Sequence, residues 1–445
     1  MHNLNHFIRW MGKRLFFIRR AYYILIDTLL YTKPSRIFYK SIPVVHNEIE
    51  HIRYYNFLGR ILFATREIVA LLSQEKIFKK SILLEGYDKV EINTLYQQGN
   101  HTILWPKSPF IELDKREVDD DFFQKIATSY RLSSQDNPLN IGKAYVWEEH
   151  TSEFKNFYFT KTNELIKEKI STFRATKGST AHILIDQFEV LDKQLGYFKS
   201  YLNAIDLVLE YHRFSNFINP AILGSISESY AGEIRTPIYR GQRLTHRLIY
   251  LASVMSEIQK HIHFQEENRK VIVDIGGGFG HMGRFTSNYI PNSCYILVEL
   301  EEMASFGAYF LHYTFPNKKV ATYVDIVERL NNFPQLVEEY DFIIIPTWII
   351  KKIPNLFVDL YIATGSIAEM PKAYAQMYLD EIDRTLKYNG FFYSNSRVKV
   401  ESHKPYLYIL YKWRLKSKFL TLSYAYHPVN LILETSPQWI GKKIK

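Results

Sequence analysis

The sequence predicts an α/β protein: a doubly wound, largely parallel sheet in the C-terminal half, preceded by a mostly α-helical N-terminal region. Three observations predict it. Val271-Ile-Val-Asp-Ile-Gly-Gly-Gly-Phe-Gly-His-Met-Gly283 runs from β-branched residues through an acid into a cluster of glycines. That is the pattern of a buried strand, a tight turn and the start of a helix. A second apolar strand, Cys294-Tyr-Ile-Leu-Val-Glu299, also ends in a carboxylate. Strand-like and helix-like segments then alternate to about residue 397, which implies parallel strands joined by crossover helices.

Composition sets the outer bounds. A chain of 445 residues is too long for one ordinary domain. Its 47% hydrophobic and 16% aromatic content supplies a large core and argues against disorder. The single cysteine, Cys294, excludes a disulfide framework and a cysteine metal site. No run of 18 uncharged apolar residues offers a membrane span, and no cleavable signal pattern is present, so a cytoplasmic location is expected. Of the net charge of +10, residues 1–40 carry +7 and residues 397–445 carry +8, so the stretch between them is −5. The basic character belongs to the ends, where an anionic polymer or a membrane surface would be met.

Three units follow: 1–40, 41–220 and 221–445. Residues 5–31 place Arg9, Lys13, Arg20 and Asp27 on one helical stripe beside a broad apolar face that includes Trp10, Phe16 and Phe17. Such a helix suits the inner face of a membrane, and equally suits docking on the protein's own core. From His46 to about Ile82 the apolar spacing reads as helical, and residues 83–112, with two glycines and two prolines, as loop with room for a short hairpin. Asp119-Asp-Asp121 reads as the acidic start of a helix rather than a metal site. Helical periodicity covers 116–132, 145–175 and 190–215, and this half is expected to cover the site and shape the acceptor pocket.

The second half is read in the same way. A polar, turn-rich segment from Ser225 to Pro237 precedes a helix from Thr245 to His261. Helix 303–313 follows Glu299. Two strands, 319–323 and 341–346, compete for the place beside Cys294–Glu299. A strand at 358–363 leads into a small polar turn, 364–366, and a helix opened by Glu369-Met370-Pro371 and closed by Asn389-Gly390. After a strand ending near Arg397 the chain turns aromatic and basic, and Tyr406–Trp413 with Phe419–Tyr426 reads as an antiparallel edge pair. Its lysines suit the blocking of an exposed edge better than the binding of nucleic acid.

Two templates fit the glycine stretch. Gly278-Phe-Gly280-His-Met-Gly283 satisfies the dinucleotide pattern G-x-G-x-x-G. The phase Asp274-x-Gly276-x-Gly278-x-Gly280 resembles the first motif of class I S-adenosylmethionine-dependent methyltransferases. An acid at the strand tip suits their cationic cofactor and repels a pyrophosphate, and a purely structural glycine turn is the third reading. Glu299 would hydrogen-bond the ribose hydroxyls in either fold.

With the Asp359-Leu…Ser366-Ile-Ala-Glu369-Met370 turn, and Glu228, Gly232 and Pro237 upstream, residues 225–397 resemble a bacterial family of sugar O-methyltransferases. Ala363 stands where that family has asparagine, and Gly232 and Pro237 are separated where it has Gly-Asn-Pro. The resemblance implies S-adenosylmethionine held by Asp274, Gly276, Gly278, Gly280, Glu299, Thr364 and Ser366. Glu369 is the first candidate for the base, with His281 and Glu228 behind it. Glu233, Arg235 and Arg240 are candidate clamps for a sugar or glycan acceptor, the arginines suiting an anionic or lipid-linked one. No metal is expected. A nucleic-acid methyltransferase and a non-catalytic assembly module are the rival readings, and the oligomeric state is left open.

Overall fold

The computed structural model describes residues 118–137, 154–174, 217–232, 238–264, 268–367, 370–395, 415–426 and 437–444, four residues between 207 and 215, and five strand segments between 39 and 106. The basic N-terminal helix expected at 5–31 and the strand expected at 406–413 lie outside these residues.

The first half differs from expectation where helix was read across 46–82. β1 (Tyr39–His46) and β2 (Ile49–Tyr55) form an antiparallel pair. β3 (Lys80–Leu84), β4 (Tyr87–Asn93) and β5 (Asn100–Pro106) form a meander, so the hairpin foreseen in 83–112 is part of a larger sheet. Ile49 and Ile52 share a helical face by spacing alone. The β-branched and aromatic content of Ile-Glu-His-Ile-Arg-Tyr-Tyr favours a strand once a partner is at hand.

Helices take over from α1 (Asp120–Asp136), where Asp119 caps the start by accepting from the Asp121 and Phe122 backbone N–H groups. The acidic run is therefore a helix start, as read. α2 (Lys167–Ser171) and α3 (Pro220–Ser225) are short. The hairpin β6 (Ile238–Tyr239) and β7 (Gln242–Arg243) completes a five-stranded antiparallel sheet through β5. α4 (His246–His261), capped by Thr245, leads into the main sheet.

That sheet holds eight strands. β8 (Lys270–Ile275) is followed by α5 (His281–Tyr289), β9 (Ser293–Glu299) and α6 (Glu301–Thr314). β10 (Val320–Ala321), α7 (Tyr323–Ile326), α8 (Phe333–Glu339) and β11 (Phe342–Pro346) come next. β12 (Val358–Thr364), α9 (Lys372–Thr385), β13 (Leu386–Asn395), β14 (Phe419–Tyr426) and β15 (Pro437–Lys443) complete it. The spatial order is β10-β11-β9-β8-β12-β13-β15-β14. All pairs are parallel except β13–β15 and β15–β14.

This is the doubly wound sheet expected. β11, not 319–323, takes the place beside β9, because Phe342-Ile-Ile-Ile is long and apolar enough to be buried on both faces. The helix after the polar turn ends at Thr385 rather than at Asn389-Gly390. Asn389 instead adopts φ +65° within β13, beside the register shift opposite Val358–Leu360. The edge strand 419–426 pairs with 437–443 and not with 406–413.

Two apolar layers sandwich the sheet. One face, carrying Ile272, Leu297, Ile344, Ile362 and Tyr393, packs on α4, α5, α6 and the described helices of the first half. The other, carrying Val273, Ile296, Ile345, Tyr361 and Phe392, packs on α7 to α9. The strand order reverses between β8 and β12, and in open α/β sheets the ligand crevice lies there, outside the carboxyl ends of the strands. α1 braces the same end: Ser129 donates to Thr322 at 2.7 Å and Lys125 pairs with Asp325 at 2.8 Å.

Candidate functional site

At the tip of β8, Asp274 is fully buried. The Tyr295 hydroxyl of β9 donates to its Oδ2 at 2.6 Å, and its Oδ1 has no hydrogen-bond partner. Burial pushes this carboxyl up to about 6, against the opposing effect of the Tyr295 hydrogen bond. Glu299, at the tip of β9, accepts from the Gly278 N–H at 2.8 Å and from the Leu300 N–H at 2.9 Å. Burial outweighs those two bonds and pushes its carboxyl up to about 7.

The glycines explain how the loop threads this space. Gly276 has φ +65°, and a Cβ there would stand 2.5 Å from the Ser366 Cβ. The Ser366 hydroxyl also donates to the Ile275 carbonyl, so the 364–366 turn is pressed against the loop across the crevice. Gly278, with φ +63°, faces nothing within 4 Å and opens the loop toward the crevice. Gly280 forms the N-cap of α5. Thr364 is buried at the tip of β12. Two carboxylates, one with an unused buried oxygen, beside an open glycine turn suit a cationic ligand that bears hydroxyls. A pyrophosphate would meet both carboxylates and be repelled.

His281 and Glu228 belong to a second, adjoining arrangement. Glu228 lies in the segment after α3 and is fully buried. Its Oε2 stands 2.9 Å from Nη2 of Arg174, 3.3 Å from Nε2 of His281 and 3.5 Å from Nη1 of Arg284. Its Oε1 accepts from the Thr245 hydroxyl at 2.6 Å. Burial alone would raise its pKa; the charges of Arg174, His281 and Arg284 outweigh it and hold the carboxyl well below the usual range. The Arg174 guanidinium sits over the rings of Phe279, 5.1 Å away, and Phe310, 5.5 Å away. A carboxylate so engaged is a weak base. The geometry makes Glu228 and His281 supports for the helix start behind the glycine loop, where the sequence had offered them as candidate bases behind Glu369.

Arg240 lies on the exposed turn between β6 and β7, with its guanidinium 5.6 Å from the Tyr239 ring and 5.9 Å from the Tyr211 ring. Those contacts tie it to the five-stranded sheet rather than to the glycine loop. Glu233, Arg235 and Glu369 lie outside the described residues. Sequence reading missed Tyr295, whose hydroxyl sits in a strand read only as apolar. It also missed Arg174, from a stretch without a motif. No group of three or more His, Cys, Asp or Glu side chains able to hold a metal occurs among the described residues, and none of their helices is long and apolar enough to cross a membrane.

No family model matches the chain, and no curated protein matches it. Solved structures do. A geranyl diphosphate C-methyltransferase from Streptomyces coelicolor, in complex with Mg2+, geranyl diphosphate and S-adenosylhomocysteine, is 11% identical. That match covers 45% of this chain and 82% of the other, with a TM-score of 0.30. A 1,6-didemethyltoxoflavin-N1-methyltransferase from Burkholderia thailandensis, with its substrate and S-adenosylhomocysteine bound, is 12% identical over 44% of this chain and 79% of its own, TM-score 0.29. The mitomycin 7-O-methyltransferase is 14% identical over 44% and 57%, TM-score 0.26. At these identities the likeness is one of fold, and it spans less than half of this chain.

Proposed function

We propose that this chain is an S-adenosylmethionine-dependent O-methyltransferase whose acceptor is a sugar hydroxyl in a cell-surface glycan or its precursor. The observation that supports the cofactor most directly is the unpartnered Oδ1 of buried Asp274, beside Glu299 and the open face of Gly278. An unmet buried oxygen costs roughly 1–3 kcal/mol, which a bound ammonium group would recover. S-adenosylmethionine supplies a methyl group on a positive sulfonium, which a hydroxyl displaces in line.

The chain's own residues hold and align the reactants. Ionised Asp274 accepts from the cofactor's amino group, and ionised Glu299 from its ribose hydroxyls. The loop at Gly276 to Gly280 gives close backbone approach, with Thr364 and Ser366 across the crevice. Glu369, which follows that turn in sequence, is assigned the proton of the attacking hydroxyl. Glu233 and Arg235 remain the proposed acceptor contacts, with Arg240 proposed for a part of the acceptor that lies away from the glycine loop. The basic ends, 1–31 above all, are assigned to an anionic or lipid-linked part of the acceptor at the inner membrane face. Calorimetry with S-adenosylmethionine tests the cofactor step: micromolar binding is expected, lost in Asp274→Ala and in Glu299→Ala. Absence of heat with the unaltered protein would sink the proposal. Salt-dependent binding of RNA without methyl transfer to any glycan would move the acceptor to nucleic acid.

A further inference from the structure

The sheet carries a polar row that extends beyond the two acids. Side chains alternate faces along a strand. Asp274 therefore shares a face with Ile272, Glu299 with Leu297, Thr364 with Ile362, Asn395 with Tyr393 and Gln438 with Ile440, and those five apolar residues belong to one core layer. The register puts Thr364 beside Asn395 and Asn395 beside Gln438. Five neighbouring strands, β9, β8, β12, β13 and β15, thus each place one polar residue on the same face at the ligand end. From β9 to β15 the series runs acid, acid, hydroxyl, amide, amide, with Asp274 one step further in, level with Leu297 and Ile362.

The amides are built in rather than incidental. Asn395 is 2% exposed and Gln438 5% exposed. The Tyr393 hydroxyl donates to Oε1 of Gln438 at 3.2 Å, which fixes that amide and leaves its NH2 as the group it can offer. Nδ2 of Asn395 is buried and lacks a well-formed hydrogen bond. Burial pushes the Tyr393 hydroxyl well above the usual tyrosine range, and the neighbouring Asn395 amide opposes this only in part. An amide nitrogen carries two protons, however, and Tyr393 can take only one. A buried donor left over at the carboxyl end of a strand, next but one to β8, is a ligand contact waiting for an acceptor oxygen.

On the reading that Asp274 and Glu299 hold the cofactor, we infer that Asn395 and Gln438 form the acceptor subsite and select an uncharged, polyhydroxylated ring over an anionic one. Amides both donate and accept, which matches the hydroxyls of a neutral sugar. A sugar carboxylate would find no cation in this row, and two acids at its far end. Any anionic group of the full acceptor is then met elsewhere on the protein, away from the reacting ring.

The test uses the full chain saturated with S-adenosylhomocysteine, and ligand-observed NMR with methyl glycosides of neutral hexoses and of uronic acids. Neutral glycosides are expected to show contact with the protein, and uronic acids little or none. Asn395→Asp and Gln438→Glu should each weaken the neutral signal at least fivefold while the S-adenosylhomocysteine Kd stays within twofold, which also reports folding. Stronger binding of uronic acids, no contact from any glycoside, or a neutral signal untouched in both variants would each overturn the inference. Failure to bind S-adenosylhomocysteine at all would instead remove the cofactor reading on which it rests.

Discussion

Nε2 of His281 lies 3.3 Å from Oε2 of Glu228, and the guanidinium groups of Arg174 and Arg284 close round the same oxygen. Removing the negative charge leaves two buried cations facing a neutral group. Glu228→Gln is therefore expected to lower unfolding free energy by about 3–5 kcal/mol, read from urea denaturation. Unchanged stability with a loss of turnover would return Glu228 to the role of base.

The two raised carboxyls give the proposed cofactor site a pH dependence with a definite sign. Asp274, raised from 3.8 to about 6, and Glu299, raised from 4.5 to about 7, bind protons more tightly folded than unfolded. Their contribution to the stability of the free protein is present below pH 4 and lost as pH rises to about 7, on the order of 3 kcal/mol apiece. Affinity for a cationic cofactor runs the opposite way, because only the ionised pair binds it. It should fall on the order of 10²–10³-fold from pH 8 to pH 5. Near pH 6.5 binding should release protons, measurable as a calorimetric heat that changes with the buffer's ionisation enthalpy.

Tyr295→Phe removes a 2.6 Å hydrogen bond that favours ionised Asp274. Affinity for S-adenosylmethionine is expected to drop about tenfold at pH 6, the size of one charge-assisted hydrogen bond. It should recover in part at pH 8, where Asp274 ionises without help. An equal loss at both pH values would mean that the ring's packing, not its hydroxyl, is what matters.

Gly276 and Gly278 share a positive φ and differ in what lies beyond them. Alanine at 276 meets the Ser366 Cβ at 2.5 Å, so it should cost about 1–3 kcal/mol of stability and disturb the turn. Alanine at 278 points its methyl into open space, so cofactor affinity should suffer more than stability. Paired thermal melts and titrations separate the two effects.

Glu369→Gln should lower turnover about 10²–10⁴-fold with cofactor affinity kept, as expected for loss of a general base. Full turnover in single-turnover assays would remove Glu369 from that role.

Much of the fold was legible because its signals are local. Strand, glycine turn and helix start fall within Val271–Gly283, and Glu299 ends a continuous apolar run. That Asp274 and Glu299 stand at the tips of neighbouring strands followed from sequence order alone. The rest depends on contacts distant in sequence. Arg174 gains meaning only where it meets Glu228. Asn395 and Gln438 are single amides at strand ends until the register sets them side by side. The helical reading of 46–82 failed for a related reason: Ile49 and Ile52 fit a helix by count, but pairing with β1 decides their conformation.

The position of β15 separates order of synthesis from order of assembly. β14 is made before β15 but bonds to it and not to β13, whose own partner is β15. A nascent chain therefore holds β14 without its sheet neighbour until residues 437–443 leave the ribosome and slot between two strands already made. Until then β13 has an open edge, and Asn395 lacks the neighbour that completes the amide pair. The proposed amide pair would thus form only after residues 437–443 have been made, however early the rest of the sheet assembles.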